Sequence, residues 1–394
     1  MSKILIINAG SSSIKWTLFD YDLNMVAKGV VERIKQKLGL LTIVFNGIKT
    51  TKEVALPSFD FAINELVKEW EENKVISDFN EIEHIAFRIV NGGPNLRETC
   101  EVTKKAINYL KDALDLAPVH NKGALETILA IEKVFVKQRK TLHFDTSFHK
   151  TLDKIEYTYP IDNKLSEKLN IRKYGFHGLS HHYIALKMEE ILNKKEVNIV
   201  NLHIGNGASL CAIEKSKSIA TSMGFTPLAG VMMGTRSGDV DPSIIPYIMK
   251  HNNWTIDQTM HMLNENSGLL GVSEYSQDFR DIKTHIEKPQ IKFTYDLYIQ
   301  KISDYLINYL NKIQGKIDAI VFTAGVAENN SDLRKHVIER INLIPLDIDD
   351  SKNNQNDFKE YNLISSKKSS IPIYVVRTNE ELYIAKEAKE LDRR

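Results

Sequence analysis

Ile4-Leu-Ile-Ile-Asn-Ala-Gly-Ser-Ser-Ser-Ile-Lys-Trp-Thr-Leu18 decides the fold. Four apolar residues run into a polar stretch of small residues, Asn8 to Ser13, after which Ile14, Trp16 and Leu18 alternate with polar neighbours. An apolar run, a Gly/Ser turn and period-two alternation predict a β-hairpin. The same pattern returns at Asn198-Ile-Val-Asn-Leu-His-Ile204, Gly205-Asn-Gly-Ala-Ser209 and Leu210-Cys-Ala-Ile213. The two stretches read as an internal repeat of one strand-loop-strand unit. A third Gly-containing loop, Thr323-Ala-Gly-Val-Ala-Glu-Asn-Asn330, follows the apolar run Ile317 to Phe322 and leads into a helical pattern from Ser331 to Ile341.

Around these loops the sequence alternates strands and helices. Strands are expected at Leu40 to Phe45, Ile85 to Val90 and Thr141 to Phe144, and helices at Phe61 to Glu72, Lys122 to Val136, Leu179 to Leu192 and Phe293 to Ile313. In the last of these Phe293, Leu297, Ile302, Leu306, Leu310 and Ile313 form a stripe that reads as core. Gln355 to Ser370 is polar and reads as a surface loop without a packed face. Thr378-Asn-Glu-Glu381 has the spacing of a capping box before a C-terminal helix. The class is α/β.

The chain has 394 residues, and at roughly 150 residues per domain this length predicts two. With 42% hydrophobic and 26% charged residues the composition is that of a globular protein. Lys+Arg 52 against Asp+Glu 51 leaves a net charge of +1, which gives no overall field to draw nucleic acid or an anionic membrane. Cys100 and Cys211 are too few for a disulfide framework and read as buried thiols of a cytoplasmic protein. No apolar run approaches the 18 or so residues of a membrane span, and the N-terminus lacks the features of a signal peptide.

Several polar groups sit where chemistry is done. Backbone N–H groups of Asn8 to Ser13, with Lys15 behind them, make either an anion nest or a plain polar turn. Gly205 to Ser209 leaves the same choice open. The loop Thr221 to Pro242 holds four Gly, two Pro, Arg236 and Asp239. Its arginine is suited to clamp a phosphoryl or carboxylate group, or else to brace the loop against Asp239. Arg88 and Asp145 each fall at the C-terminal edge of an expected strand, where α/β proteins bind ligands. Asp145 could support Mg²⁺ or a nucleophile, or could cap a helix. His177, in Tyr174-Gly-Phe-His-Gly178, precedes a helix, but His177, His181 and His182 lack the converging ligands of a zinc site. Asp278-Phe-Arg280 lacks the companion motifs of a protein kinase.

Six stretches together resemble the acetate kinase family: Asn8-Ala-Gly-Ser-Ser-Ser-Ile-Lys15, Phe176-His-Gly178, His203-Ile-Gly-Asn-Gly-Ala-Ser209, Met233-Gly-Thr-Arg-Ser-Gly-Asp239, Ser276-Gln-Asp-Phe-Arg280 and Phe322-Thr-Ala-Gly325. The resemblance extends over nearly the whole chain. It implies the actin/Hsc70/sugar-kinase superfamily, with two ribonuclease-H-like domains and a nucleotide cleft between them. The first domain would span 1–150, with a helix at about 380–394 packing back on it. The second, 151–394, would carry the nucleotide site and a homodimer interface. The implied reaction is ATP + acetate ⇌ ADP + acetyl phosphate by direct in-line transfer, with Mg²⁺, or Mn²⁺ in its place.

By the same resemblance Arg88 and Arg236 would bind the acetate carboxylate and the transferring phosphoryl group, His177 would bond its equatorial oxygens, and Asp145 would orient the nucleophile and support the metal site. Asn8 and Glu380 would hold the metal, Glu381 being left to the capping box. Val90, Val119 and Pro227 would line the acyl pocket. Lys15, His203, Ile204, Gly205, Asn206 and Gly207 would take the nucleotide phosphates, and Asp278, Phe279, Arg280, Gly325, Val326, Ala327, Glu328 and Asn329 the adenosine half. The chain departs from the family pattern at Ala327, where a second Gly is usual, and at Phe87, Asn91, Lys122 and Glu274. A propionate or butyrate kinase is the nearest alternative, and an actin- or Hsc70-like nucleotide-driven binding protein the alternative of another class.

Overall fold

In the computed structural model, residues 2–355 and 357–392 are described, with 118–120 and 392 described through their backbone alone. The chain divides into two compact units, Met1–Ser147 with Asn379–Arg394, and Phe148–Thr378.

The first unit is built on β1 (Lys3–Ala9), β2 (Ile14–Asp20), β3 (Met25–Glu32), β4 (Gly39–Phe45), β5 (Ile48–Val54), β6 (Ile82–Ile89), β7 (Cys100–Glu101) and β8 (Arg139–Phe144). They lie in the order β5-β4-β3-β2-β1-β6-β8-β7. Strands β1 to β5 are antiparallel neighbours, whereas β6 joins β1, and β8 joins β6, in parallel. The hairpin is explained by its apolar face: Trp16 is 2% exposed and meets Trp70 edge-on, with ring centroids 5.0 Å apart. Trp70 belongs to the helix Phe59–Glu72, whose Phe59, Ala62, Ile63, Leu66, Val67 and Trp70 recur at helical spacing and are buried. Opposite Trp16 stands Gly29, where a Cβ would lie 2.7 Å from the indole.

The loop between β1 and β2 is closed by a bond from Gly10 N–H to the Ser13 carbonyl at 2.8 Å. The helix Pro118–Val134 passes directly against it, because Gly123 has no side chain: a Cβ there would fall 1.9 Å from the Gly10 carbonyl oxygen. Gly123→Ala is therefore expected to cost about 1–3 kcal/mol of stability through overpacking. A lowered urea midpoint is the readout; an unchanged midpoint would contradict this close approach.

The second unit repeats the plan with β9 (Ile199–Ile204), β10 (Ala208–Glu214), β11 (Lys217–Thr221), β12 (Ala319–Thr323), β13 (Tyr361–Leu363) and β14 (Ile373–Val376), in the order β11-β10-β9-β12-β14-β13. Strands β11, β10 and β9 are antiparallel neighbours, and β12 and β14 continue the sheet in parallel. Each sheet thus leads consecutive antiparallel strands, five in the first and three in the second, into two parallel ones, so the repeated hairpins occupy the same place in both topologies. Strand β9 is buried along its whole length, its polar Asn201 and His203 included, as a central strand covered on both faces is.

Three expectations are corrected. Ile302, Leu306, Leu310 and Ile313 of the expected stripe are buried, but Phe293 is 56% exposed, and toward the start of the helix Pro289–Lys312 the buried face runs through Tyr295 and Tyr298 instead. The stretch 355–370 contains β13, paired with β14, followed by the fully buried Ile364. The capping box at Thr378 does not form. Its N–H donates to Glu328 Oε1 at 3.0 Å and its hydroxyl meets Ser180 Oγ at 2.8 Å, so Asn379 Oδ1 accepts from Leu382 N–H and caps the helix Glu380–Asp392.

Candidate functional site

In the first unit the site residues are lined up by strand register. Lys15 on β2 pairs with Asn8 on β1, Asn8 with Arg88 on β6, and Arg88 with His143 on β8. Asp145 follows β8 and is 3% exposed; its two carboxylate oxygens accept from Arg88 Nε at 2.8 Å and Nη2 at 2.9 Å. The third guanidinium nitrogen, Nη1, meets Glu380 Oε2 at 2.8 Å. Arg88 is thus a cation held between two acids rather than a surface arginine, and Asp145 serves it rather than a helix end. Burial alone would lower the Arg88 pKa, but the carboxylates of Asp145 and Glu380 outweigh it and hold the pKa above its ordinary value. Glu380 is pushed up to about 7, chiefly by burial and further by Asp145, against the pull of Arg88.

The helix Glu380–Asp392 is fastened along one face. Besides Glu380, its Glu387 accepts from Thr99 at 3.0 Å and meets His143 Nδ1 at 2.8 Å, and the Leu391 carbonyl accepts from Arg139 at 2.8 Å. Lys15 is exposed, and Val90 lies half-buried directly after β6. The side chain of Val119 lies outside the described residues.

In the second unit three loops converge. His177 takes a left-handed conformation at φ 56° before the helix Gly178–Leu192, and its ring stacks on His203 with centroids 4.2 Å apart. A Cβ placed on Gly207 would lie 3.5 Å from Arg236 Nη1 and 3.6 Å from His177 Nε2, so both polar groups reach the Gly205–Ser209 turn. Arg236 donates to the Pro227 carbonyl at 3.4 Å and forms no ion pair among the described residues. Asp239, its suggested brace, is occupied by Gly230 N–H and the Tyr305 hydroxyl. Burial lowers the Arg236 pKa against a weaker pull from Glu265. A half-buried guanidinium without a carboxylate partner is a site for an anion.

Beside it lies a cavity of about 640 Å³ lined by Gly205, Asn206, Asp278, Phe279, Arg280, Gly325, Val326 and Asn329, all expected, and by Gly234, Leu269, Gln277 and Asn330, which were not. Gly234 lies close to Asn206, where a Cβ would fall 1.9 Å from Asn206 Oδ1 and displace that side chain. Asp278 caps a helical turn through Arg280 N–H and binds the Arg280 side chain. Ile204 and Ala327 are fully buried, and Glu328 turns inward to accept from Ala324 N–H at 2.8 Å. The loop is pinned by buried Arg334, which donates to the Ala327 carbonyl at 2.6 Å. Ala324 holds φ 71°, ψ 165°, a region that is essentially glycine's and costs other residues about 1–3 kcal/mol. Ala324→Gly should therefore raise stability by about 1 kcal/mol after glycine's entropy is subtracted. A lower denaturation midpoint would contradict the strain.

Sequence reading missed Ser209, His181 and Asn201 behind His177, although Ser209 lies in a quoted stretch. Nothing in one sequence marks a buried serine as a partner of a distant ring.

Two sheets that each lead an antiparallel hairpin series into two parallel strands, with Gly-rich hairpin loops at the strand ends, define the ribonuclease-H-like, actin-like class of α/β proteins. The sequence model of the Acetokinase family matches residues 3–386, and the chain belongs to that family. It is 50% identical over 393 residues to the acetate kinase of Mycoplasmopsis pulmonis, covering 99% of this chain and 100% of that one. Porphyromonas gingivalis acetate kinase superposes with a TM-score of 0.93 at 32% identity, over 99% of this chain and 100% of that one. A propionate kinase from Francisella tularensis gives 0.93 at 34% identity, again over 99% and 100%.

Proposed function

We propose that this chain transfers a phosphoryl group directly and reversibly between ATP and acetate: ATP + acetate ⇌ ADP + acetyl phosphate. Family membership supports the reaction, and one observation carries the residue assignment: Arg236, half-buried and without a carboxylate partner among the described residues, reaches the Gly207 turn together with His177 Nε2. A carboxylate nucleophile with pKa about 4–5 is already ionised at neutral pH, so the enzyme needs no general base and must chiefly manage charge. Arg236 and His177 bind the transferring phosphoryl group, Arg88 binds the acetate carboxylate, and Asp145 orients Arg88. By the family resemblance Val90 and Pro227 would each face the acyl group. Lys15 and the His203–Gly207 turn take phosphates, and the cavity beside Phe279 and Gly325 takes the adenosine half.

Mg²⁺ favours one or two protein oxygens, with water and phosphate completing its shell. Asn8 is the register partner of Arg88 on the neighbouring strand and Glu380 is bonded to that arginine, so an amide-bearing and a carboxylate-bearing residue flank one position of the sheet. That donor set fits, and Asn8 and Glu380 would hold the ion, which supplies charge neutralisation at the phosphates when bound. The helix Ile244–Asn252 leaves Ile244 40% and Tyr247 65% exposed, and such apolar surface supports a homodimer formed through this unit. Free Cys100 and Cys211, with a nucleotide as substrate, support a cytoplasmic enzyme. Among the described residues no helix is long and apolar enough to cross a membrane.

The test is Mg-ATP with acetate, propionate or butyrate and hydroxylamine to trap the acyl phosphate. Acetate-dependent hydroxamate is expected. One methylene is worth only about 1–3 kcal/mol, so propionate should follow as a poorer substrate. Release of ADP that needs no acid would overturn the reading in favour of a nucleotide-driven binding protein.

A further inference from the structure

Behind His177 lies a chain of buried polar groups. Ser209 Oγ is 2.9 Å from His177 Nδ1 and 2.8 Å from His181 Nε2, and Asn201 Nδ2 is 2.8 Å from His181 Nδ1. Ser209, His181 and Asn201 are fully buried. Burial, reinforced by His149 and His203, keeps the His181 pKa well below the ordinary histidine range, so this ring is neutral.

A neutral imidazole has one N–H and one lone pair, and a hydroxyl has a single proton to give. The chain therefore has two proton orders, and its far end selects one. Asn201 Nδ2 can only donate. His181 Nδ1 then accepts, His181 Nε2–H donates to Ser209 Oγ, and the Ser209 proton goes to His177 Nδ1. The His177 proton is left on Nε2, the atom that reaches the Gly207 turn beside Arg236. The reverse amide orientation is disfavoured. Asn201 Oδ1 has no partner, and exchanging the two ends would bury an unpaired NH₂ group there, a rarer and costlier defect than an under-satisfied carbonyl.

We propose that Ser209, His181 and Asn201 are positioning residues that hold His177 as its Nε2–H tautomer, so that it presents a hydrogen-bond donor to the anionic group bound by Arg236. The inference rests on the reading of Arg236 and His177 as the phosphoryl clamp. In the other tautomer His177 would turn a lone pair toward negative oxygens, which is repulsive.

The experiment is long-range ¹H–¹⁵N correlation of the histidine rings in ¹⁵N-labelled full-length protein, above the ordinary histidine pKa. In the unmodified protein His177 should show protonated Nε2 and a hydrogen-bonded Nδ1. In Ser209→Ala the Nδ1 resonance should move to that of a ring nitrogen lacking a donor. Turnover should fall about 10-fold or more while the KM for ATP holds, as expected for a lost transition-state contact. Ser209→Thr, which keeps the hydroxyl, should restore both signals. A protonated Nδ1 in the unmodified protein overturns the proposal without any variant, and so does an unmoved His177 spectrum in folded Ser209→Ala. Should Ser209→Ala not fold, Asn201→Leu serves instead: removing the terminal donor should admit the Nδ1–H tautomer, and a spectrum without it overturns the proposal. Full turnover by His177→Ala would instead defeat the clamp reading and leave the tautomer result standing.

Discussion

Arg236→Ala lowers kcat by about 10²-fold or more and leaves the fold intact, because one charge-stabilising donor of a phosphoryl clamp is worth that much when it acts on the transition state. The fold should survive because Arg236 contributes little to it. It makes a long bond to the Pro227 carbonyl and approaches Met233 Sδ, and no carboxylate among the described residues pairs with it. The KM for ATP should change little, since the cavity proposed for the adenosine half is lined by other residues. Arg236→Lys should recover only part of the loss, having charge without the planar fork. Steady-state kinetics with a circular dichroism melt checks both halves. Near-normal turnover would remove Arg236 from the mechanism.

Arg88→Ala should have a different signature, because Arg88 holds two buried carboxylates besides its proposed contact with substrate. It neutralises Asp145 and Glu380, and the three side chains are 19%, 4% and 15% exposed. Removing one partner of a buried ion pair costs roughly 3–5 kcal/mol, because the remaining charge is left uncompensated. A large fall in denaturation free energy is expected together with loss of acetate-dependent turnover. The double variant Arg88→Ala with Asp145→Asn should regain part of the stability but none of the turnover, because a neutral amide needs no counter-ion. If both single substitutions leave stability unchanged, the pairing described here is wrong.

What could be read from the sequence followed the strength of local pattern. Strands β1, β2, β9 and β10 bury apolar residues at regular spacing, so the hairpins and their repetition were legible before any coordinates. Strand β5, Ile48-Lys-Thr-Thr-Lys-Glu-Val54, has no buried face and lies at the sheet edge, where pairing leaves no hydrophobic signature. The stripe through Phe293 was misread because the tyrosines beside it are buried while Phe293 is exposed, and apolarity alone does not order them.

The site divides in the same way. The loops at Gly205 and Gly325 were found through composition, since Gly and small polar residues mark backbone that approaches a ligand, whereas Asp278 was reached only through the family resemblance. The partners of each side chain were not. Arg88 and Asp145 are 57 positions apart, and their pairing follows from the parallel register of β6 and β8, which one sequence does not encode locally. Thr378 shows a local rule yielding to a tertiary one, since Glu328 and Ser180 take the groups that a capping box would have used.

The most direct test of the central claim runs the reaction backward: purified protein, ADP, Mg²⁺ and acetyl phosphate, with ATP measured as product. The account predicts one ATP formed for each acetyl phosphate consumed, a rate reduced by about 10²-fold or more in Arg236→Ala, and no labelled protein when the phosphoryl group carries ³²P. Acetyl phosphate consumed without ATP, or a phosphoryl group retained on the protein, would contradict direct transfer between nucleotide and carboxylate.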